Sequence, residues 1–501
     1  YYLSIVAICL DIKTAYINDI KDLKLLLGDS PVLRSFVGMI FFVSALVNAA
    51  PTAYLPIGAD NYLQNQIDHL FLLTSGNPMK KPYSIANIDR ALNQIESTNP
   101  SLYQAVNNGL ESYRVNDSMS RAGLVARVSV DQKMPIANQR GLSSDEYLQA
   151  FAEGSWRPND YTLVQAGVEY RADAGSLVPY NTFVGFSKGN LQLDLGYREH
   201  WYSPFSFSSQ LISNNAEMGP SITLSTVSPI ERFWQANFEL FYTRLDKVKN
   251  GIRYLDQWHD GSPHLIGTHL SLSPTEFWTL GFSRMLQFGG GPREVSTSDI
   301  INAFFNPVKH DNSFSEDEKT TEFGDQMASV TTSYQFNRGM PIEIYAELAA
   351  EDTQGHSNFS LGNQATNLGI FMPQISDKVA LRYEFNRYKT AWYTNHLYAF
   401  GNTNSGFVFG NYIADQRDFG HGIPATANKI SLDYATSGTA GWTAFLSTIN
   451  HQDKSRYDTA YEFKLEHRRQ LQQNPMRLSV TLGTSVYSEN YGQLEGSIFW
   501  Y

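Results

Sequence analysis

The chain has 501 residues and a net charge of −11, with 42% hydrophobic and only 17% charged residues, against ~25% charged in an ordinary soluble protein. The acidic balance and the lack of any Lys/Arg run exclude a nucleic-acid surface, which needs a basic face. The only cysteine, Cys9, lies in the leader described next, so the mature chain is expected to have no disulfide framework, thiolate metal site or cysteine nucleophile. In place of charge the chain carries 29 Tyr, 30 Phe and 8 Trp, which suits a protein that meets lipid on one side and water on the other.

The first element is a leader, residues 1–49. Its apolar core, 36–47, has signal-peptide length and falls short of the ~20 residues a spanning helix needs. Arg34 precedes the core, and Val47-Asn48-Ala49 fits the small-residue rule, so cleavage is expected near Ala49. Residues 1–33 begin with Tyr. They read as an upstream segment with no role in the fold, either read through or lying before a non-Met start near Val32 or Leu33.

Residues 50–114 read as a small helical bundle. Leu63, Ile67, Leu70 and Phe71 fall on one helical face. The segment 75–84, "SGNPMKKPYS", is a loop ending in a Ser84 N-cap, and Ile85, Ile88, Ala91, Leu92 and Ile95 form the next stripe. Pro100 suits the start of a third helix carrying Leu102, Val106 and Leu110. A bundle of this size needs to dock on something larger.

From 115 to 501 the period changes to two. In "VALRYEFNRY" (379–388), Val379, Leu381, Tyr383 and Phe385 alternate with Ala380, Arg382, Glu384 and Asn386. "VQAGVEY" (164–170), "LQLDLGY" (191–197), "YEFKLEH" (461–467) and "RLSVTLG" (477–483) repeat the pattern. Short turns such as "QQNP" (472–475) and long loops such as 400–424 punctuate the strands. Either the apolar rows pack on one another, in a secreted sandwich or propeller, or the sheet closes with the polar rows inside and the apolar rows on lipid. The export signal, the absent cysteine, the aromatic content and the terminal "IFWY" favour the second arrangement. This is an all-β transmembrane barrel of about 18 antiparallel strands at ~10 residues each, carrying a small N-terminal periplasmic helical bundle. Even parity keeps both ends on the periplasmic side.

The chain resembles the Wzi family of outer-membrane capsule-assembly proteins. The resemblance is carried by "DHLFLLTSGNPMKKPYSIANIDRAL" (68–92), 193–217, 265–294, "KHDN" (309–312), "FGDQMA" (323–328), 341–355 and 382–412, in order over most of the mature chain. It implies an 18-stranded barrel with a periplasmic bundle, and a surface lectin that holds high-molecular-weight capsular polysaccharide or exopolysaccharide on the cell. The sequence departs from the family at Trp201-Tyr202-Ser203-Pro204, where a Trp-Trp-Gly-Pro stretch is expected, and in its long loops.

A sugar site needs aromatic faces interleaved with amide, carboxylate or guanidinium groups. The loops around 200–206, 254–261 and 391–398 offer these, with Trp201, Tyr202, Trp258, His259, Asp260, Trp392 and Asn395 as candidates. Each aromatic has a plainer reading as an interfacial girdle residue. Arg382, Glu384, Glu462, Lys464 and Glu466 either cross-link the lumen or line a path through it. The adjacent pairs His259-Asp260 and His310-Asp311 point to opposite faces if they lie on strands. Neither G-x-S-x-G nor H-E-x-x-H occurs, and "FGGGPRE" (288–294) lacks the following Lys and helix of a phosphate loop. The expected protein is a non-enzymatic, cofactor-free, monomeric lectin embedded in outer-membrane lipid. A porin-like oligosaccharide channel is the alternative, and an adhesin a third class.

Overall fold

The computed structural model describes residues 50–58, 60–114, 117–131, 134–305, 323–351, 361–472 and 474–501. The leader 1–49 and the His310-Asp311 pair lie outside the described residues.

Helix α1 (Asn61–Leu73) starts where the Asp60 carboxylate accepts from the Tyr62 and Leu63 amides. Ser84 caps α2 (Ile85–Ile95) by accepting from Asn87 N, and Asn99 caps α3 (Pro100–Gly109) with Pro100 in the first turn. These caps satisfy amides that have no partner within the helix. The apolar stripes meet in one core around Ile67, Leu70, Ile88, Leu92, Val106 and Leu110, all buried.

The strands form one closed antiparallel meander. The first, Ser118–Asp131, pairs with the last, Asn490–Trp500, from Ala122 opposite Trp500 to Asp131 opposite Tyr491. Segments Ser176–Pro179 and Thr182–Lys188 both pair with Thr162–Arg171 and are one span interrupted at Tyr180 and Asn181. Counted so, the 19 hydrogen-bonded segments make 18 spans. Closure leaves no unpaired edge.

The side-chain rows resolve which face is inside. On Val379–Tyr388, Arg382, Glu384 and Asn386 are 2%, 0% and 3% exposed, whereas Tyr383 is 36% exposed. Gln192 and Asp194 are buried on 191–197, and Ser479 and Thr481 on 477–483. Leu478, Val480 and Leu482 point outward, with Leu124, Phe282, Val330, Leu348, Leu368, Leu446 and Phe463. The outer wall is therefore an apolar band suited to hydrocarbon. Near the short turns it carries exposed aromatics, among them Trp156, Trp234, Tyr334 and Phe336. Trp278 stands opposite Tyr334, and Tyr434 opposite Trp442, across neighbouring strands. Such a belt suits a water–lipid boundary. The helices sit at the same end, since α1 reaches Gln335 and Arg382 beside short turns.

Candidate functional site

Two chain segments fill the lumen. Residues 198–217 fold inward from the long-loop end, buried along nearly their whole length. Residues 75–84 enter from the helical end. They meet at Lys81 and Trp201, which exchange backbone hydrogen bonds: Lys81 N donates to Trp201 O at 2.9 Å, and Trp201 N to Lys81 O at 3.0 Å. A plug that shuts the lumen's charges away from water must supply partners for them. Those partners are present. Glu239, on strand Asn237–Arg244, accepts from Arg198 Nη2 at 2.6 Å and Lys80 Nζ at 3.1 Å, and its Oε1 is 2.7 Å from His200 Nδ1. Arg198 also pairs with Asp194 at 2.8 Å and lies 4.0 Å over the Tyr54 ring.

The polar row of 379–388 fastens both intruding elements. Arg382 donates to Asp68 of α1 at 2.6 Å. Burial alone would raise the Asp68 carboxyl, but the Arg382 guanidinium and the Lys81 ammonium override it and hold the group below the ordinary carboxylate range. Glu384 accepts from the amides of Ser206 at 2.7 Å and Phe207 at 3.0 Å and from Tyr345 OH at 2.9 Å. Asn386 accepts from Ser208 Oγ at 2.7 Å.

The outer end is built from the loop 389–424 and a hairpin of Val248–Tyr254 with Gln257–Gly261. Leu255 and Asp256 both have positive φ, 48° and 60°, in its two-residue turn. The hairpin leans on the loop, with Arg253 N donating to Leu397 O at 2.8 Å and Ala399 N to Gly251 O at 2.9 Å.

These elements separate the candidate residues into two groups. Trp201, Tyr202 and Trp392 are at most 1% exposed, which corrects the expectation that they present faces to a sugar. Trp201 Nε1 donates to Phe205 O at 3.1 Å, Tyr202 stacks on His269 with centroids 5.2 Å apart, and Trp392 packs on Tyr393. Their surfaces are turned inside the barrel, where Trp201 borders a cavity. Trp258 and Asp260 are exposed and His259 half-buried on the hairpin. Asn395 is half-buried in the adjoining loop, its Oδ1 accepting from Leu397 N. Sequence reasoning missed Tyr254, whose ring lies 6.4 Å from His259 and 5.8 Å from the Arg293 guanidinium. It also missed the exposed Phe400–Phe419 pair. The alternation in 248–261 was available as a signal, but a Leu-Asp turn lacks the Asn-Gly signature that marks such hairpins.

Asp415 locks the loop 389–424 to the plug, accepting from Asn215 Nδ2 at 2.6 Å and Val408 N at 2.9 Å. Burial raises its carboxyl from the ordinary 3.8 to about 7. Because the folded value lies above the unfolded one, the stabilisation is present below about pH 4 and is lost as pH rises toward about 7. Intrinsic-rate-corrected amide exchange in residues 407–416 is expected to be slower at pH 5 than at pH 8, and D415N should flatten that difference. Equal protection of the native protein at both pH values contradicts the assignment.

Comparison with known proteins places this architecture. The sequence profile described as "Capsule assembly protein Wzi" matches residues 125–422, more than half of the chain. A Klebsiella pneumoniae protein described as "Uncharacterized 55.8 kDa protein in cps region" is 25% identical over 248 residues, covering 46% of this chain and 44% of its own. The match therefore spans less than half the length of that curated relative. The solved structure of Wzi from Escherichia coli, described as a carbohydrate-binding β-barrel involved in group 1 capsule assembly, superposes with a TM-score of 0.67. It has 16% identity and covers 90% of this chain and 99% of that one. At that identity the likeness concerns the fold.

Proposed function

The chain belongs to the Wzi family of capsule assembly proteins, and from that membership we propose that it binds capsular polysaccharide or exopolysaccharide at the outer end of the barrel and helps hold it on the cell. The protein is an outer-membrane β-barrel with its helices on the periplasmic side. The observation that carries the binding role is the filled lumen. With 198–217 and 75–84 packed inside and tied to the wall at Glu239 and Glu384, the described residues leave no open bore for a polymer. A polymer would meet the loop layer outside. There the hairpin offers Trp258, Tyr254, His259 and Asp260 beside Asn395, combining aromatic faces with amide and carboxylate groups. We read the protein as a monomeric binding module with no catalytic step.

The test is deletion of the gene in its native host, complemented with the wild type or with W258A/Y254A. Polymer should move from the cell-bound to the shed fraction on deletion, return with the wild type, and return only partly with the double variant. Polymer that stays fully cell-attached after deletion rejects the anchoring role.

A further inference from the structure

Between the plug and the wall formed by strands 425–500 and 118–131 lies a polar cavity of about 260 Å³. Residues 134–139 bound it at the outer end, and Asn61, Gln64 and Asn65 of α1 at the inner end. Its carboxylates are engaged. Glu495 pairs with Arg127 at 2.7 Å, Glu462 accepts from Tyr491 OH at 2.9 Å, and Asp433 accepts from Asn65 Nδ2 at 3.0 Å and Thr443 Oγ1 at 2.6 Å. Lys464 lies 3.7 Å from Glu466. Lys429 differs. Among the described residues its Nζ makes no ion pair or hydrogen bond and instead stands among three rings, 5.2 Å from the Phe207 centroid and 5.7 Å from those of Tyr412 and Phe445.

We propose that this cavity binds an acidic pyranose, a hexuronate residue, with its carboxylate on the Lys429 ammonium and its ring face on Phe445 or Phe207. A cation held by ring faces keeps its hydrogen-bonding capacity for an incoming anion, and the same rings accept the C–H face of a sugar. Gln493, whose Nε2 donates to Ser129 Oγ at 3.1 Å and whose Oε1 can accept, and Tyr491, farther along the same wall, supply groups for hydroxyls. Lys81, Lys429 and Lys464 on the lining match Asp433, Glu462 and Glu495 in number, and Glu462 and Glu384 also act on Lys429 from nearby, so the site has one ammonium to offer one carboxylate and no surplus positive charge for a phosphate dianion. The volume is below the ~300–1,000 Å³ of drug-sized pockets. The cavity therefore suits a terminal sugar or a short chain end and not the interior of a polymer. A second cavity of about 290 Å³ on the helical side shares Asn65 and Asp433 with it, and the 3.0 Å hydrogen bond between those two side chains divides the cavities. The inference goes beyond surface binding of polymer and stands or falls independently of it.

Equilibrium dialysis of the full-length protein in detergent, with methyl glucuronide, methyl glucoside and glucose 6-phosphate as probes, tests it. The wild type should prefer the glucuronide over the neutral glycoside by roughly 10- to 100-fold, the range of one charge-assisted contact. K429M should abolish that preference while leaving glucoside binding and cell-attached polymer unchanged. If K429M fails to fold, the three-probe comparison on the wild type decides. No preference among the probes, tightest binding of glucose 6-phosphate, or a preference that survives K429M each overturns the proposal.

Discussion

Replacing Glu239 by Ala is expected to lower the stability of the folded barrel by about 3–5 kcal/mol, the scale of breaking a buried ion pair by removing one partner. Glu239 is 1% exposed and is where three chain segments converge. Lys80 comes from the N-terminal segment, Arg198 and His200 from the inward loop, and Glu239 itself from the wall. Without it Arg198 keeps Asp194, but Lys80 keeps only the Phe238 carbonyl at 3.1 Å. A buried ammonium with one neutral acceptor is poorly compensated. The measurement is the urea midpoint of the heat-modifiable band on gels, for the wild type, E239A and E239Q. E239Q keeps the shape and one acceptor, so it should fall between the other two. Coincident midpoints for E239A and the wild type show that the three-way contact carries no stability.

Glu384→Ala is expected to loosen the plug instead of the wall. The carboxylate accepts the Ser206 and Phe207 amides, which face the lumen wall, and the Tyr345 hydroxyl. Hydrogen bonds to a charged group are worth about 1.5–3 kcal/mol each, and amides left without an acceptor add a further cost. Losing this set weakens the hold on 198–217 by several kcal/mol. The barrel itself stays closed, because its ladder is untouched. In planar bilayers the wild type should be electrically silent. E384A should show intermittent openings, together with new protease cleavage within 203–213. A wild type with steady large conductance contradicts the plugged lumen and favours the channel reading. An E384A variant as silent and as protected as the wild type removes Glu384 from the plug's attachment.

The local elements were legible because their signals are local. The stripe Leu63-Ile67-Leu70-Phe71, the Ser84 cap and Pro100 each depend on residues within a turn or two, and all three helices form where these lie. The alternation in 379–388 named the two rows, and closure turned the polar one inward. At 180–181 one span breaks, because Tyr180 and Asn181 interrupt the pairing with 162–171. Among the candidate site residues, the sequence showed loops that mix aromatics with polar groups and could not say which of those loops return into the barrel.

That return was decided by tertiary structure alone. Residues 198–217 have neither helical nor strand periodicity, so nothing in them announces burial; Trp201, Tyr202 and Trp392 are buried because the wall offers Asp194, Glu239 and Glu384 to the segments that carry or neighbour them. By itself the sequence determined the helices, the strand rows and the sign of each face, since these follow from neighbours a few residues apart. Which buried charge meets which partner was decided by the fold, because Lys80 and Glu239 lie far apart along the chain and a buried carboxylate takes whatever cation the closed barrel brings within reach.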